Sequence, residues 1–138
     1  SKIYGLAGLR VGFAVASTEV ADLLNRVRQP FNVNNLAIAA ACAALDDHLF
    51  IAESYQLNRR GMEQIVAGLK RLGLEHIPSH GNFVTFAVAD GAAVNQKLLK
   101  QGVIVRPIGG YGLPNHLRVT IGLETENARF LDALEKSL

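Results

Sequence analysis

Two hydrophobic periods alternate through the second half of the chain, and few folds accommodate that alternation. Residues 80–88, HGNFVTFAV, run with a period of two. Val84, Phe86 and Val88 fall on one face, and Phe83, Thr85 and Ala87 on the other. Apolar residues on both faces predict a central strand. Asp90 is placed to cap a helix containing Val94, Leu98 and Leu99, closed by Gly102. VIV at 103–105 reads as a short strand stopping before Pro107, and residues 108–115, IGGYGLPN, as a loop of turn formers. In the next strand Leu117, Val119 and Ile121 share one face, and His116, Arg118 and Thr120 the other. Thr125 is expected to cap a last helix that buries Leu131, Leu134 and Leu138. The order is βαββα, which predicts a small α+β domain.

The first half is mostly helical. LRVGFAV at 9–15 reads as a strand. Ser17 or Thr18 then caps a helix whose Val20, Leu23, Leu24 and Val27 keep the spacing of a one-sided apolar stripe, and Pro30 ends it. Asn34 or Asn35 caps LAIAAACAAL, where alanine on most faces predicts close packing all round. Asp46 or Asp47 caps a long helix to about Leu72, with Ile51, Tyr55, Met62, Ile65, Val66 and Leu69 as its buried stripe. Gly73 stops it in the left-handed position. The irregular stretch around residues 29–35 marks the domain boundary, giving 1–32 and 33–138.

Composition removes several function classes. With 138 residues, 49% hydrophobic and 19% charged, the chain suits a globular domain with a core. A net charge of +2 gives no footprint for nucleic acid or an anionic membrane. The longest apolar run, 36–45, is too short to cross a bilayer. The one cysteine, Cys42, sits among alanines and reads as a small buried hydrophobe. The four histidines lack metal-ligand spacing, so no metal site is expected. Gly109, Gly110 and Gly112 lack the lysine and the strand–loop–helix context of a phosphate loop.

Chemistry concentrates at the start, in Ser1-Lys2-Ile3-Tyr4-Gly5-Leu6-Ala7-Gly8-Leu9-Arg10-Val11-Gly12. A lysine amine forms an imine with an aldehyde, and an arginine fork clamps a phosphate. A surface lysine and an arginine at a strand mouth would give the same letters, so the residues alone leave both readings open. Arg118, on the polar face of its strand, is open in the same way.

S-K-x-x-G-L-x-G-L-R-V-G resembles the cofactor-lysine motif of the class I/II pyridoxal-phosphate aminotransferases. The likeness continues through GNFVTF (81–86), VIVRP (103–107) and HLRVTIG (116–122). Within that family the motifs are most similar to the branch that transaminates histidinol phosphate. The resemblance implies a fold-type I transferase. Residues 1–32 would then be the last part of its large cofactor domain, and 33–138 its small domain. It implies pyridoxal 5'-phosphate as cofactor, held by Lys2 through its amine, by Arg10 at the phosphate and by the Ser1 hydroxyl. It implies Arg118 as receptor of the substrate carboxylate, with Arg106 as a second anion contact. Histidinol phosphate and imidazole acetol phosphate, with glutamate and 2-oxoglutarate, would be the substrates of a cytoplasmic homodimer in histidine biosynthesis. The family's aspartate partner of the pyridine nitrogen and its ring-stacking aromatic lie upstream of the lysine. The chain is therefore expected to be the C-terminal part of a longer enzyme, inactive alone. An aromatic or other amino-acid aminotransferase, or a related decarboxylase, would use the same lysine and arginines. A non-catalytic α+β ligand-binding module would leave Lys2 a bystander.

Overall fold

The computed structural model describes all 138 residues, which fall into two compact units, Ser1–Tyr55 and Gln56–Leu138. That division lies within one long helix, downstream of the 32/33 boundary read from the irregular stretch around residues 29–35. No single helix is long and apolar enough to cross a membrane.

The first unit holds a 3-10 turn at Ala7–Leu9, helices α1 (Thr18–Val27) and α2 (Asn35–Asp46), and the start of α3 (His48–Arg71). Each helix begins where an oxygen-bearing side chain takes an orphan amide of the first turn. Ser17 Oγ accepts from Val20 N at 3.4 Å, Asn34 Oδ1 from Ala37 N at 2.8 Å and Asp47 Oδ1 from Phe50 N at 3.0 Å. Three expectations fail here. Residues 9–15 form no strand: Leu9 ends the 3-10 turn, and no neighbouring strand in this unit offers a ladder. α2 is not packed all round; only Ala37 is buried, and Leu36 is 79% exposed. Cys42 is exposed rather than buried. The α1 stripe is likewise open, with Val27 79% exposed.

The second unit has a four-stranded antiparallel sheet: β1 (His76–Ile77), β2 (Phe83–Ala87), β3 (Arg106–Pro107) and β4 (His116–Thr120), in the order β1-β2-β4-β3. Helices α4 (Gly91–Lys100) and α5 (Glu124–Glu135) complete the α+β body, whose β2-α4-β3-β4-α5 order is the expected βαββα. β2 is central, as its two apolar faces require. Val84, Phe86, Leu117 and Val119 turn one sheet face into a core shared with Ile65 and Leu69 of α3, Leu98 of α4, and Phe130 and Leu134 of α5. Phe86 and Phe130 meet edge to face at 5.8 Å. Asp90 Oδ1 caps α4 through Ala93 N at 2.9 Å, and Gly73 and Gly102 hold positive φ after α3 and α4.

Four details differ from the sequence reading. The strand expected at 80–88 is paired only over Phe83–Ala87. Residues 103–105 are not a strand: Val103 N returns to Leu98 O to close α4, and pairing begins at Arg106. Pro107 is tolerated because β3 is an edge. α5 starts one residue before Thr125, and Glu126 Oε2 takes Leu123 N at 2.8 Å. Tyr55 and Leu138, expected in the core, are 54% and 53% exposed.

Candidate functional site

In the first unit the Ser1-Lys2 pair opens a tight turn. Gly5 N donates to Lys2 O at 3.1 Å, and Gly5 adopts φ +66, a conformation that suits glycine. Ser1 and Lys2 line a cavity of about 960 Å³, together with Tyr4, Phe13 and Phe31. Lys2 is exposed and forms no ion pair. Arg10 is exposed, does not line this cavity, and also lacks a carboxylate partner. Its backbone is left-handed, φ 57 and ψ 48, and one guanidinium nitrogen donates back to Ala7 O at 2.8 Å. The remaining guanidinium donors are free. The Ser1 hydroxyl gives its single proton to Val11 O at 2.6 Å, so it faces the cavity as an acceptor.

In the second unit the sheet register decides the geometry. Arg106 and Arg118 are direct cross-strand partners, and Thr85 lies opposite Arg118 on its other side. Directly opposed residues of an antiparallel pair project from the same face. Two guanidiniums therefore leave one sheet face side by side, and neither has a carboxylate partner. The Arg118 guanidinium lies 4.8 Å from the centre of the Phe83 ring, which supports it from below. Like charges set directly opposite each other are destabilising unless an anion sits between them. The arrangement suits a phosphate or carboxylate.

Sequence reasoning named both arginines but not their pairing, and it passed over Phe83 as a platform. Alternation puts Phe83 and Thr85 on one face; only the β2–β4 register sets that face beside Arg118. Tyr4 and Phe31 were also missed as cavity walls. Their aromatic character near Lys2 was the available signal.

A small antiparallel sheet packed on three helices, with a pair of unpaired arginines, and a separate Ser-Lys turn followed by an arginine loop have the make-up of part of a fold-type I transferase. The chain belongs to the aminotransferase class I and II family, whose model matches residues 1–134. It is 84% identical over its whole length to histidinol-phosphate aminotransferase 1 of Dechloromonas aromatica, of which it covers 38%. Among solved structures it resembles the histidinol-phosphate aminotransferase of Clostridium acetobutylicum, with TM-score 0.91 and 26% identity, covering 99% of this chain and 43% of that one. The Sinorhizobium meliloti histidinol-phosphate aminotransferase in complex with pyridoxal-5'-phosphate is similar with TM-score 0.87 and 27% identity, covering 99% and 39%. The chain thus spans well under half the length of these relatives.

Proposed function

We propose that the chain is the C-terminal segment of a pyridoxal-phosphate aminotransferase that exchanges the amino group between histidinol phosphate and 2-oxoglutarate. Residues 1–32 belong to its cofactor domain and 33–138 to its small domain. The enzyme works as a cytoplasmic homodimer on small molecules. The names of the relatives support the substrate pair. The observation in this chain that carries it is the Arg106–Arg118 pair on one sheet face.

The donor set fits the cofactor. Lys2 is an amine with no carboxylate to neutralise it, and Arg10 keeps guanidinium donors free for a dianion. Pyridoxal phosphate, when bound, supplies an electron sink for the substrate Cα–H bond. Lys2 would hold the cofactor aldehyde through its amine, and the same amine would take and return the proton of the substrate Cα. Arg10 takes the cofactor phosphate. Ser1 joins that phosphate once its hydroxyl turns from Val11 O. Arg118, steadied on Phe83, receives the glutamate carboxylate, and Arg106 receives the histidinol phosphate group. Two substrates of unlike shape then share one demand, an anion between two guanidiniums.

The test is the split between half-reactions in the full-length enzyme. Arg106→Ala should lower kcat/KM for histidinol phosphate by about one to two powers of ten, the worth of a charge-assisted contact, and glutamate by less. Arg118→Ala should harm glutamate at least as much as histidinol phosphate. Equal losses for both substrates in Arg106→Ala would make Arg106 a general electrostatic residue. A preference for an aromatic amino acid over histidinol phosphate would move the substrate assignment to that class.

A further inference from the structure

Arg10 holds a backbone conformation that arginine rarely adopts, and an asparagine 24 positions further on reaches the peptide bond that sets it. A non-glycine residue at φ 57 is disfavoured by roughly 1–2 kcal/mol, so its surroundings must impose it. The peptide unit entering Arg10 consists of the Leu9 carbonyl and the Arg10 amide, a rigid plane. Asn34 Nδ2 donates to Leu9 O at 3.4 Å, and Arg10 N donates to Ala7 O at 3.4 Å. Both ends of that plane are therefore tied. The asparagine's orientation is not arbitrary. Its Oδ1 accepts from Ala37 N at 2.8 Å, and a backbone N–H can only donate, so the amide nitrogen must point the other way, at Leu9.

We infer that Asn34 is a positioning residue for the phosphate anchor: it caps α2 with its oxygen and, with its nitrogen, fixes the left-handed Arg10 backbone that presents the guanidinium. The inference rests on the assignment of Arg10 to the cofactor phosphate. It gives an internal reason for asparagine here, since serine, threonine or aspartate would cap the helix equally well but lack the amide donor. With Asn34 in place, the Arg10 side chain curls onto Ala7 O and its other donors stay fixed in direction. Without it, only the Arg10 N–Ala7 O bond at 3.4 Å still ties that plane, and the arginine gains access to the ordinary right-handed or extended region.

The experiment is a double-mutant cycle in the full-length apoenzyme, reading the ratio of dissociation constants for pyridoxal and pyridoxal phosphate by equilibrium dialysis. Only a phosphate contact moves that ratio; a general loss of fold weakens both ligands alike. Asn34→Asp keeps the cap and removes the donor. It should lower the preference for the phosphorylated form by about two- to tenfold, the range of one hydrogen bond, with pyridoxal binding unchanged. In an Arg10→Ala background, which should itself cost most of the preference, the same change should have no further effect. An unchanged ratio in Asn34→Asp, or an equal fall in both backgrounds as a bare added charge would give, overturns the inference. If Arg10→Ala leaves the ratio intact, the assignment of Arg10 fails and the inference fails with it. Should Asn34→Asp not fold, Asn34→Ser, a neutral cap without the amide, takes its place in the cycle with the same expected and overturning results.

Discussion

At the scale of single residues, the proposed chemistry rests on cations without acidic partners. The chain's three ion pairs, Arg26–Asp22, Arg59–Glu63 and Arg71–Glu135, are at least half exposed on both sides and contribute little. None involves Lys2, Arg10, Arg106 or Arg118. Being unpaired does not by itself set them apart, since most of the fourteen lysines and arginines lack a carboxylate partner; what distinguishes Arg106 and Arg118 is that they stand opposite each other on one sheet face. The role proposed for Lys2 is the sharpest case to test, because an amine that is to bond covalently to a cofactor has no substitute among uncharged side chains. In the full-length enzyme, Lys2→Ala should abolish covalent attachment of pyridoxal phosphate, read by mass after borohydride reduction. It should also lower transamination by at least about 10²–10⁴-fold, the range of a lost proton carrier. A variant that still traps the cofactor covalently would assign the imine to another lysine.

Elements come together here through glycine as much as through apolar side chains. On α3, Gly61, Ile65, Gly68 and Leu69 form the buried stripe. A Cβ at Gly61 would lie 2.5 Å from Ile121 Cγ2, 2.9 Å from Asn127 Nδ2 and 3.3 Å from the Gly122 carbonyl oxygen. Asn127, itself buried, accepts from Gly122 N and donates to Gly122 O and Gln64 Oε1, locking the turn that follows β4. Alanine would add helix propensity of up to about 1 kcal/mol, but overpacking costs about 1–3 kcal/mol and the network would have to shift. Gly61→Ala should therefore lower stability by about 1–2 kcal/mol in urea unfolding followed by circular dichroism. Gly68→Ala should also lose about 1–2 kcal/mol, because its Cβ would overlap Leu131 Cδ1 and Cδ2 and lie 2.9 Å from Cγ, and Leu131 is held in the core. No loss in either variant would place the close approach elsewhere. The helix starts were legible at Ser17, Asn34 and Asp90, since a cap is a local interaction and its residue types are few. The α5 start was not, because Leu123 has no capping side chain and Glu126 does the work from inside the helix. The strand at Arg106 was hidden by the apolar VIV beside it: the close of α4, not hydrophobicity, decides where β3 begins. Arg118 was readable as the polar member of an alternating strand. Its pairing with Arg106 depends on register between segments distant in sequence, which no local pattern carries.

For the whole molecule, the two units differ in how much of their apolar surface they close by themselves. Gln56–Leu138 encloses a core in which Val84, Phe86, Leu98, Leu117 and Leu134 are fully buried. In Ser1–Tyr55 the only buried residue is Ala37, while Phe31 is 99%, Val15 92% and Phe13 64% exposed. The α1 stripe that the sequence marks as core-facing, Val20, Leu23, Leu24 and Val27, has no cover within its unit. Open apolar surface of this extent marks an interaction face or an aggregation hazard rather than a finished exterior. The same unit carries Arg10, and Lys2 with the cavity that it lines, and the lysine is exposed to water. A lysine with the role proposed for Lys2 must be held within a fraction of an ångström of productive geometry by its surroundings, and these 138 residues provide little to hold it. The isolated chain should therefore show no transamination above the cofactor's own background when given pyridoxal phosphate, glutamate and imidazole acetol phosphate. It should also bind an apolar dye such as anilinonaphthalene sulfonate strongly. Turnover near an ordinary enzyme's value, about 10 s⁻¹, would mean that these residues assemble a working site unaided. Weak dye binding would mean that the first unit covers its own apolar faces in solution.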